Sequence, residues 1–443
     1  MNPSDTQPRS RPTIISRSEH NISRADISSN ALKVLYRLKN AGFSAFLVGG
    51  GVRDLLLERH PKDFDVVTDA QPEQIGELFR NCRLIGRRFR LAHVRFGRDI
   101  IEVATFRAAS GEEHEDRLHS DTGRILRDNV YGGIDEDVWR RDFTVNALYY
   151  NIADFTVWDY TTGLEDIKHR TLRLIGDPMT RYREDPVRML RAVRLAVKLG
   201  FTIAPEAAAP LPELAELLLD VPSARLFDEV LKLFHAGHAV KSFEMLRQCG
   251  LFKFLFPETA AALRGEEGRP ALEFIRRGLA NTDARVREDK PVTPMFLYAV
   301  FLWPAIKRLA DEIEAESGGS GPALTEAAHR IVAEQQRNTS FPKRFSVPMK
   351  EILGMQARFE NRSGVRAARL LEHKRFRAAY DFLLLRSECG EAAQEVADWW
   401  TQIQELPEGE QRQAFGSKRR RRGGRRKRGG GRASGGEARD AAN

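Results

Sequence analysis

Two aspartates one residue apart, Asp63 and Asp65, are the side chains of this sequence best suited to metal-dependent chemistry. They lie in the segment 63–67, Asp-Phe-Asp-Val-Val, which alternates polar and apolar residues as a half-buried strand does. Alternate strand side chains point to the same face, so we expect the two carboxylates to lie side by side. Mg²⁺ sites for phosphoryl or nucleotidyl transfer use carboxylates in this way. The spacing therefore predicts a Mg²⁺ site at Asp63 and Asp65.

A glycine-rich turn precedes this pair and is suited to a phosphate. The apolar run 46–48 predicts a buried strand, and Gly49, Gly50 and Gly51 follow it. Glycine has no Cβ, so a ligand can approach the backbone closely. A helix predicted after the glycines, over 52–58, places unpaired N–H groups and a positive dipole end at the turn. The alternative interpretation is a simple glycine turn followed by a solvated edge strand.

The combination Gly-Gly-x-Val-Arg-Asp, followed ten residues after Arg53 by Asp-x-Asp, carries a family resemblance. It resembles the polymerase-β-like nucleotidyltransferases, in the class that holds bacterial poly(A) polymerases and CCA-adding enzymes. The resemblance implies that Gly50, Gly51 and Arg53 hold the triphosphate of a nucleotide. It also implies that Asp63 and Asp65 hold the Mg²⁺ ions.

A second motif covers residues 140–147, Arg-Arg-Asp-Phe-Thr-Val-Asn-Ala, and resembles the R-R-D-F-T-x-N-[AS] signature of the same class. By this resemblance Arg141 contacts the nucleotide and Asp142 is a catalytic carboxylate. The residues alone also allow Asp142 to pair with Arg141 or to cap the following helix. Glu102, in another predicted strand, is the alternative third carboxylate, and we prefer Asp142.

A third motif lies in the segment 181–200, which predicts a helix that ends at a glycine. An arginine and an aspartate together can hydrogen-bond the edge of a base, because guanidinium donates and carboxylate accepts. The resemblance gives this base-reading role, without a nucleic-acid template, to Asp185 and Arg188. Arg191 is expected to hold a phosphate or to brace Arg188. The alternative is an amphipathic helix with a solvated basic face.

Composition limits the class of protein. At 443 residues the chain is expected to hold two or three domains. No apolar run is long enough for a membrane span, and residues 1–20 lack the apolar region of a secretory signal. The three cysteines are widely spaced and form no zinc pattern, which favours a reducing, cytoplasmic location.

Positive charge is concentrated near the C-terminus. The net charge is +9, yet residues 416–432 alone hold ten Lys or Arg and no acid. Such a segment cannot build a core and is predicted to bind RNA phosphates or to act as a generic basic tail. The tail arginines predicted to bind RNA are Arg419, Arg420, Arg421, Arg422, Arg425 and Arg426. A further set at near-helical spacing is predicted either to grip RNA phosphates or to form a salt-bridged surface: Arg358, Arg362, Arg366 and Arg369.

The fold predicted from these patterns is α+β. A small polymerase-β-like nucleotidyltransferase head, with a mixed sheet and helices, is followed by an all-α neck and body, and both termini are disordered. The segments 281–304 and 370–388 resemble the poly(A) polymerase branch of the class specifically. The predicted parts are a disordered N-terminus (1–25), the head (26–175), a neck and RNA-binding helical domain (176–270), a helical body (271–410) and a disordered Arg/Gly-rich tail (411–443).

The resemblance implies template-independent addition of AMP from ATP to RNA 3′ ends, and hence polyadenylation that promotes RNA decay. The RNA 3′-hydroxyl attacks the α-phosphate and pyrophosphate leaves, while two Mg²⁺ ions assist. RNA-degradation proteins are implied as partners. One alternative is a CCA-adding tRNA nucleotidyltransferase, which shares all three motifs. The other is a non-catalytic RNA-binding protein on the same fold, against which the intact pair Asp63 and Asp65 argues.

Overall fold

The computed structural model describes residues 11–86, 90–108, 117–119, 125–128, 130–317 and 323–416. The predicted class is confirmed, because an α+β head is followed by helices. Residues 1–10 and the tail 417–443, with its predicted RNA-binding arginines, lie outside the described residues.

The head is built on one mixed β-sheet. In chain order the described strands are β1 Thr13–Ile15, β2 Ala45–Val48, β3 Asp65–Thr68, β4 Cys82–Ile85, β5 Leu91–Phe96, β6 Asp99–Thr105, β7 Arg117–His119, β8 Ile125–Asp128, β9 Leu148–Asn151, β10 Val157–Asp159, β11 Thr171–Leu172 and β12 Thr202–Ile203. The main sheet has the order β1-β10-β9-β2-β3-β6-β5-β4, while β7–β8 and β11–β12 form separate pairs. Within the main sheet β3 and β6 are parallel and the other neighbours are antiparallel.

Each face of the main sheet has its own apolar cluster. One face packs against α1 Ser29–Asn40, which buries Val34, Leu35 and Leu38 and follows Ser28, whose hydroxyl accepts from the Asn30 N–H. The opposite face carries a smaller cluster formed around Phe46, Val67 and Tyr149. This second face also carries the first residue of β3, Asp65, because its register partner Val48 belongs to the same cluster.

The remaining helices complete the head and form the neck and body. Those of the head are α2 Gly50–Leu56, α3 Pro72–Leu78, α4 Ile134–Val138 and α5 Gly163–Lys168. Those that follow are α6 Pro178–Glu184, α7 Val187–Leu199, α8 Pro205–Ala208, α9 Leu211–Leu214, α10 Ser223–Phe234, α11 Ala239–Gln248, α12 Phe252–Leu255, α13 Pro257–Ala262, α14 Arg269–Arg287, α15 Pro294–Ser317, α16 Ala323–Asn338, α17 Lys343–Gly354, α18 Gly364–Leu371, α19 Phe376–Glu388, α20 Gln394–Glu405 and α21 Glu408–Ala414. In the described part of the chain, every helix is too short or too polar to cross a membrane.

The predicted disorder of the N-terminus is wrong for residues 11–25. β1 forms the edge of the main sheet and pairs with β10, and Ile15 and Ile22 are buried. β-branched residues suit a pleated, half-buried surface, and the rest of the head supplies that surface. The polar composition of the segment concealed this, because only two of its residues, Ile15 and Ile22, are buried apolar side chains.

The predicted tail also begins too early. Residues 411–414 belong to α21, and Phe415 is buried against the rings of Trp399 and Trp400. A single aromatic side chain is enough to dock a short terminal helix, because its burial removes a large apolar area from water. The structured body therefore extends to Gly416.

One glycine connects the fold to the site. A Cβ at Gly163, the first residue of α5, would lie 2.5 Å from the Thr144 carbonyl oxygen, in the turn that ends at Asn146. We predict that Gly163→Ala lowers the free energy of unfolding by about 1–3 kcal/mol, because backbone must move to admit the methyl group. Urea unfolding would measure this. Gly76→Ala is the control, since Gly76 lies in α3 with no atom within 4 Å of its added Cβ. An equal effect of both substitutions would contradict the prediction.

Candidate active site

The glycine turn lies between β2 and α2, beside the carboxylates. Gly49 has φ of 77°, which glycine adopts without strain, and the helix begins directly after it at Gly50. A Cβ at Gly49 would lie 3.6 Å from Asp65 Oδ2, and one at Gly51 would lie 3.4 Å from the Asp63 carbonyl oxygen. The missing side chains therefore leave a shallow cradle next to the aspartates. The structure thus places the predicted phosphate turn and the predicted metal ligands together.

Asp65 is the electrostatic centre of the site. Burial is the main cause that raises the pKa of Asp65 to about 6, the carboxylates of Glu102 and Asp63 contribute to this shift, and Arg141 opposes it. Asp65 opens β3, whereas Asp63 lies just before the strand and is exposed, so the two are not alternate residues of one strand as predicted. The Asp63 carboxylate nevertheless repels the charge of Asp65. The site therefore concentrates negative charge that a cation would neutralise.

Glu102 is the register neighbour of Asp65. The two residues pair across the parallel strands β3 and β6, so their side chains emerge on the same face. His93 continues the row on β5, with its Nε2 atom 3.3 Å from Glu102 Oε1. The side chain of Glu102 is about half exposed, as a ligand-binding carboxylate must be.

Arg141 is held in a buried cluster of polar groups. Its Nε donates to Tyr149 Oη at 2.7 Å, and its Nη2 donates to Asp137 Oδ2 at 2.8 Å. The Tyr149 hydroxyl donates to the same carboxylate oxygen at 2.9 Å. Burial alone would lower the pKa of Arg141, but the contacts with Tyr149 and Asp137 raise it above its usual value. Arg141 is thus a fixed cation close enough to Asp65 to stabilise its charge, which agrees with a nucleotide contact.

Asp142 pairs with the neck rather than with Arg141. Its carboxylate accepts from Arg191 of α7, whose Nε lies 2.7 Å from Oδ2, and from the Asn146 amide, 3.2 Å from Oδ1. Burial would raise the pKa of Asp142, but Arg191, Asn146 and the Phe143 N–H lower it to about 2. Both carboxylate oxygens are therefore engaged inside the protein.

Arg53 belongs to the same network. Its Nη1 donates to Asn146 Oδ1 at 2.6 Å, and its Nη2 donates to Asp54 Oδ1 at 2.6 Å. The residue is 3% exposed, and a Cβ at Gly50 would lie 3.3 Å from its Nη2 atom, so its guanidinium lies buried against the glycine turn. It ties α2 to the turn that follows Asp142.

The two predicted base readers have other partners. Asp185 accepts a two-point contact from Arg225 of α10, with both N–O distances 2.8 Å. Arg188 is buried and donates to the Arg181 carbonyl oxygen at 2.7 Å and to Glu184 Oε2 at 2.8 Å. Their side chains are fixed before any base arrives, and they lie at the start of α7, the helix that also carries Arg191.

Sequence reasoning missed Asp137, Tyr149 and Arg225. Asp137 stands four residues before Arg141, a spacing that often brings side chains together, and could have been found. Tyr149 and Arg225 have no local signal, because strand pairing and helix packing bring them to their partners. Among the described residues, no group of three His, Cys, Asp or Glu side chains is close enough to form a complete metal site by itself.

Family models match three parts of the chain. They are described as "Poly A polymerase head domain" (residues 45–173), "Probable RNA and SrmB- binding site of polymerase A" (residues 200–263) and "Polymerase A arginine-rich C-terminus" (residues 318–433). The first of these spans the glycine turn, the carboxylates and Arg141. The match to the head therefore covers the glycine turn, the carboxylates, Arg141 and Asp142, whereas Asp185, Arg188 and Arg191 lie outside the three matched ranges.

Individual proteins show how far the similarity extends. The chain is similar to "Poly(A) polymerase I" of Salmonella typhi, with 51% identity over 407 residues that cover 90% of this chain and 87% of that protein. It is 37% identical to a "CCA-adding enzyme" of Lactobacillus helveticus over 220 residues, which cover 50% of this chain and 53% of the relative. The solved Bacillus stearothermophilus CCA-adding enzyme in complex with CTP has a TM-score of 0.56 and 23% identity, covering 84% of this chain and 82% of that one. The last similarity shows a shared fold.

The contact between Asp142 and Arg191 should be visible in the pH dependence of stability. The pKa of Asp142 in the folded protein is about 2, below its usual value of 3.8. The contact therefore stabilises the protein fully at pH values above the usual pKa, and this stabilisation is lost as the pH falls through about 2. We predict that Asp142→Asn lowers the free energy of unfolding by about 2 kcal/mol at pH 7. The difference in free energy of unfolding between this variant and the unmodified protein should become smaller as the pH is lowered from about 5.

Chemical denaturation at several pH values would measure this difference. Asp26→Asn, at an exposed site, is the control and should have little effect at any pH. A pH-independent loss for Asp142→Asn would mean that packing, and not the charge of Asp142, is what matters.

Proposed function

The chain belongs to the bacterial poly(A) polymerase family, and we propose that it is a template-independent polymerase that adds AMP from ATP to RNA 3′ ends. The observation that carries this is the extent of the similarity. Identity of 51% to a poly(A) polymerase continues through head, neck and body, whereas the similarity to the CCA-adding relative covers half of the chain. The head alone serves both reactions, so the remainder distinguishes them.

The carboxylates Asp63, Asp65 and Glu102 are proposed to bind divalent cations, with Mg²⁺ as the physiological choice. Carboxylate oxygens suit this hard cation, which commonly uses one or two protein carboxylates and completes its shell with substrate phosphates and water. Burial and then the neighbouring carboxylates raise the pKa of Asp65, and a bound cation would neutralise this concentration of negative charge. When bound, the cation lowers the pKa of the attacking hydroxyl and stabilises the leaving oxygens.

We assign the third carboxylate position to Glu102 in place of Asp142, the sequence-based preference. Glu102 lies beside Asp65 on the same face of the sheet and is half exposed. Asp142 uses both oxygens on Arg191 and Asn146, so binding a metal would break that contact. Asp142 is instead proposed to position Arg141, its neighbour in the chain.

The nucleotide is proposed to lie across the glycine turn, with Gly50 and Gly51 next to its phosphates and Arg141 neutralising them. Arg53, predicted to join them, is proposed to support the turn, since its guanidinium is buried and bonded to Asn146 and Asp54. Arg141 is already held by Tyr149 and Asp137, so it loses little entropy when a phosphate binds. The RNA 3′-hydroxyl would then attack the α-phosphate, and pyrophosphate would leave.

The incoming base is proposed to be read by Asp185 and Arg188, with Arg225 fixing the aspartate. The two-point contact between Arg225 and Asp185 prevents the carboxylate from rotating. Arg191 holds the start of the same helix against the head through Asp142. A rigid, protein-built edge is what a polymerase needs when it selects a base without a template. RNA-degradation proteins as partners, and a cytoplasmic location, stay predictions.

A primer-extension assay tests the proposed reaction. With Mg²⁺ and ATP, we expect long A tails on a generic single-stranded RNA, and little use of CTP. A tRNA that lacks its terminal CCA, supplied with CTP and ATP, is the comparison substrate. Addition of C-C-A to the tRNA alone would establish the CCA-adding alternative, and no incorporation on either RNA would favour the non-catalytic RNA-binding protein.

Substitutions of the carboxylates test the assignment of their roles. We predict that Asp65→Ala and Glu102→Gln each abolish AMP incorporation while RNA binding persists, because neither carboxylate is proposed to hold RNA. Asp142→Asn, assayed where it remains folded, should keep measurable activity. An active Asp65→Ala enzyme would overturn the metal assignment. A fully active Glu102→Gln enzyme beside an inactive, folded Asp142→Asn enzyme would restore Asp142 as the third carboxylate.

A further inference from the structure

Arg181, in α6, is a buried arginine whose side chain contacts two parts of the candidate site. It is 6% exposed, and its Nη2 atom donates to the carbonyl oxygens of Arg140 at 3.0 Å and Arg141 at 2.7 Å. Residues 139–142 lie between α4 and the turn 144–146, outside the helices and strands. A guanidinium that holds both carbonyl groups therefore fixes the backbone from which the Arg141 side chain extends.

The same guanidinium also contacts a neighbour of a proposed base reader. Its Nη1 atom donates to Glu184 Oε2 at 2.5 Å, and Arg188 Nη1 donates to that same oxygen at 2.8 Å. Arg188 Nη1 also donates to the Arg181 carbonyl oxygen at 2.7 Å. One carboxylate oxygen thus joins the two guanidinium groups. Continuous contacts therefore run from Arg188 through Arg181 to the backbone of Arg141.

The burial and the shape of the Arg181 side chain make this connection stiff. Burial is the main cause that lowers the pKa of Arg181 to about 10, Arg188 contributes to this shift, and Glu184 opposes it. Water does not replace a partner that such a buried charge loses, so breaking any of these hydrogen bonds is costly. Guanidinium is planar, with its donors in a fixed fork. A displacement of Glu184 at one edge of the group therefore moves the donor at the other edge.

We propose that Arg181 is a positioning residue that couples recognition of the incoming base to the placement of Arg141. This rests on the proposed function, in which Arg188 reads the base and Arg141 neutralises the triphosphate. A base that matches Arg188 leaves the contact with Glu184 intact, so Arg141 stays in place at the phosphates.

A base that draws Arg188 away from Glu184 loosens the same contacts, and the transition state is then held less well. Selection of ATP over CTP therefore acts on the rate of transfer as well as on binding. Arg181 itself is not proposed to contact the nucleotide.

Arg181→Lys separates this coupling from the positive charge. The substitution keeps the charge, but an ammonium group is a compact point and cannot extend from Glu184 to both carbonyl oxygens. The matched control is Arg183→Lys, because Arg183 is an exposed residue of the same helix. Glu184→Gln is a second variant, at a side chain that is 18% exposed and so tolerates the change more readily.

Steady-state kinetics of the full chain, with Mg²⁺ and a generic single-stranded RNA, give the test. Selectivity is the ratio of kcat/KM for ATP to kcat/KM for CTP. Binding at the phosphates alone is measured by the inhibition constant of tripolyphosphate, which has no base. We expect Arg181→Lys to lower selectivity about tenfold, the effect of losing one hydrogen bond to a charged group, and to do so through kcat more than KM.

The inhibition constant of tripolyphosphate should rise in Arg181→Lys, because Arg141 is no longer held in place. Glu184→Gln should lower selectivity in the same direction, and Arg183→Lys should change neither quantity. In an Arg188→Gln background, Arg181→Lys should not lower selectivity again, because the two residues act through one set of contacts. Thermal unfolding would verify that the variants are folded.

An equal loss of kcat/KM for ATP and CTP would overturn the proposal, because it would leave Arg181 a structural role alone. Lower selectivity with an unchanged tripolyphosphate constant would overturn it too, since the effect would then stop at the base reader. If Arg181→Lys does not fold, unchanged selectivity of Glu184→Gln overturns the proposal.

The proposed function is scored separately, with the unmodified protein. If that protein adds AMP to no RNA, the proposed function fails. If it adds AMP while Arg181→Lys keeps its selectivity and its tripolyphosphate constant, only the coupling proposal fails.

Discussion

The ion pair between Asp142 and Arg191 joins the head to the neck, and the arrangement of the candidate site depends on it. Asp142 directly follows Arg141 in the chain, so the contact that holds Asp142 also fixes the backbone of Arg141. Asn146 donates to the other carboxylate oxygen and accepts a hydrogen bond from Arg53. Because these groups are buried, removing one leaves another without its partner, which is more destabilising than losing a surface pair.

The site brings carboxylates close to one another and places a fixed guanidinium group beside them. Burial and the carboxylates of Glu102 and Asp63 raise the pKa of Asp65. Arg141 counters them from a fixed position, because Tyr149 holds its guanidinium together with a neighbouring carboxylate. A divalent cation and a triphosphate would complete the balance. The distribution of charged side chains in the site is thus complementary to the proposed cation and triphosphate.

The helical region after the head holds residues proposed to take part in nucleotide selection. The head carries chemistry common to poly(A) polymerases and CCA-adding enzymes, and similarity to the latter covers half of this chain. Asp185 is fixed by Arg225, a residue of the helical region beyond the head. The surface proposed to meet the base is therefore held in place by helices outside the catalytic sheet.

The sequence by itself determined the local features: the strand, glycine turn and aspartates within residues 45–69, and the family. These depend on backbone geometry over a few neighbouring residues, which periodicity and turn residues report directly. Only the tertiary structure decided the partners of the charged groups. Asp142 and Arg191 are 49 residues apart, and Asp185 and Arg225 are 40 apart. Packing of whole helices and pairing of strands set such contacts, and so also placed a glutamate of β6, and not Asp142, beside the first residue of β3.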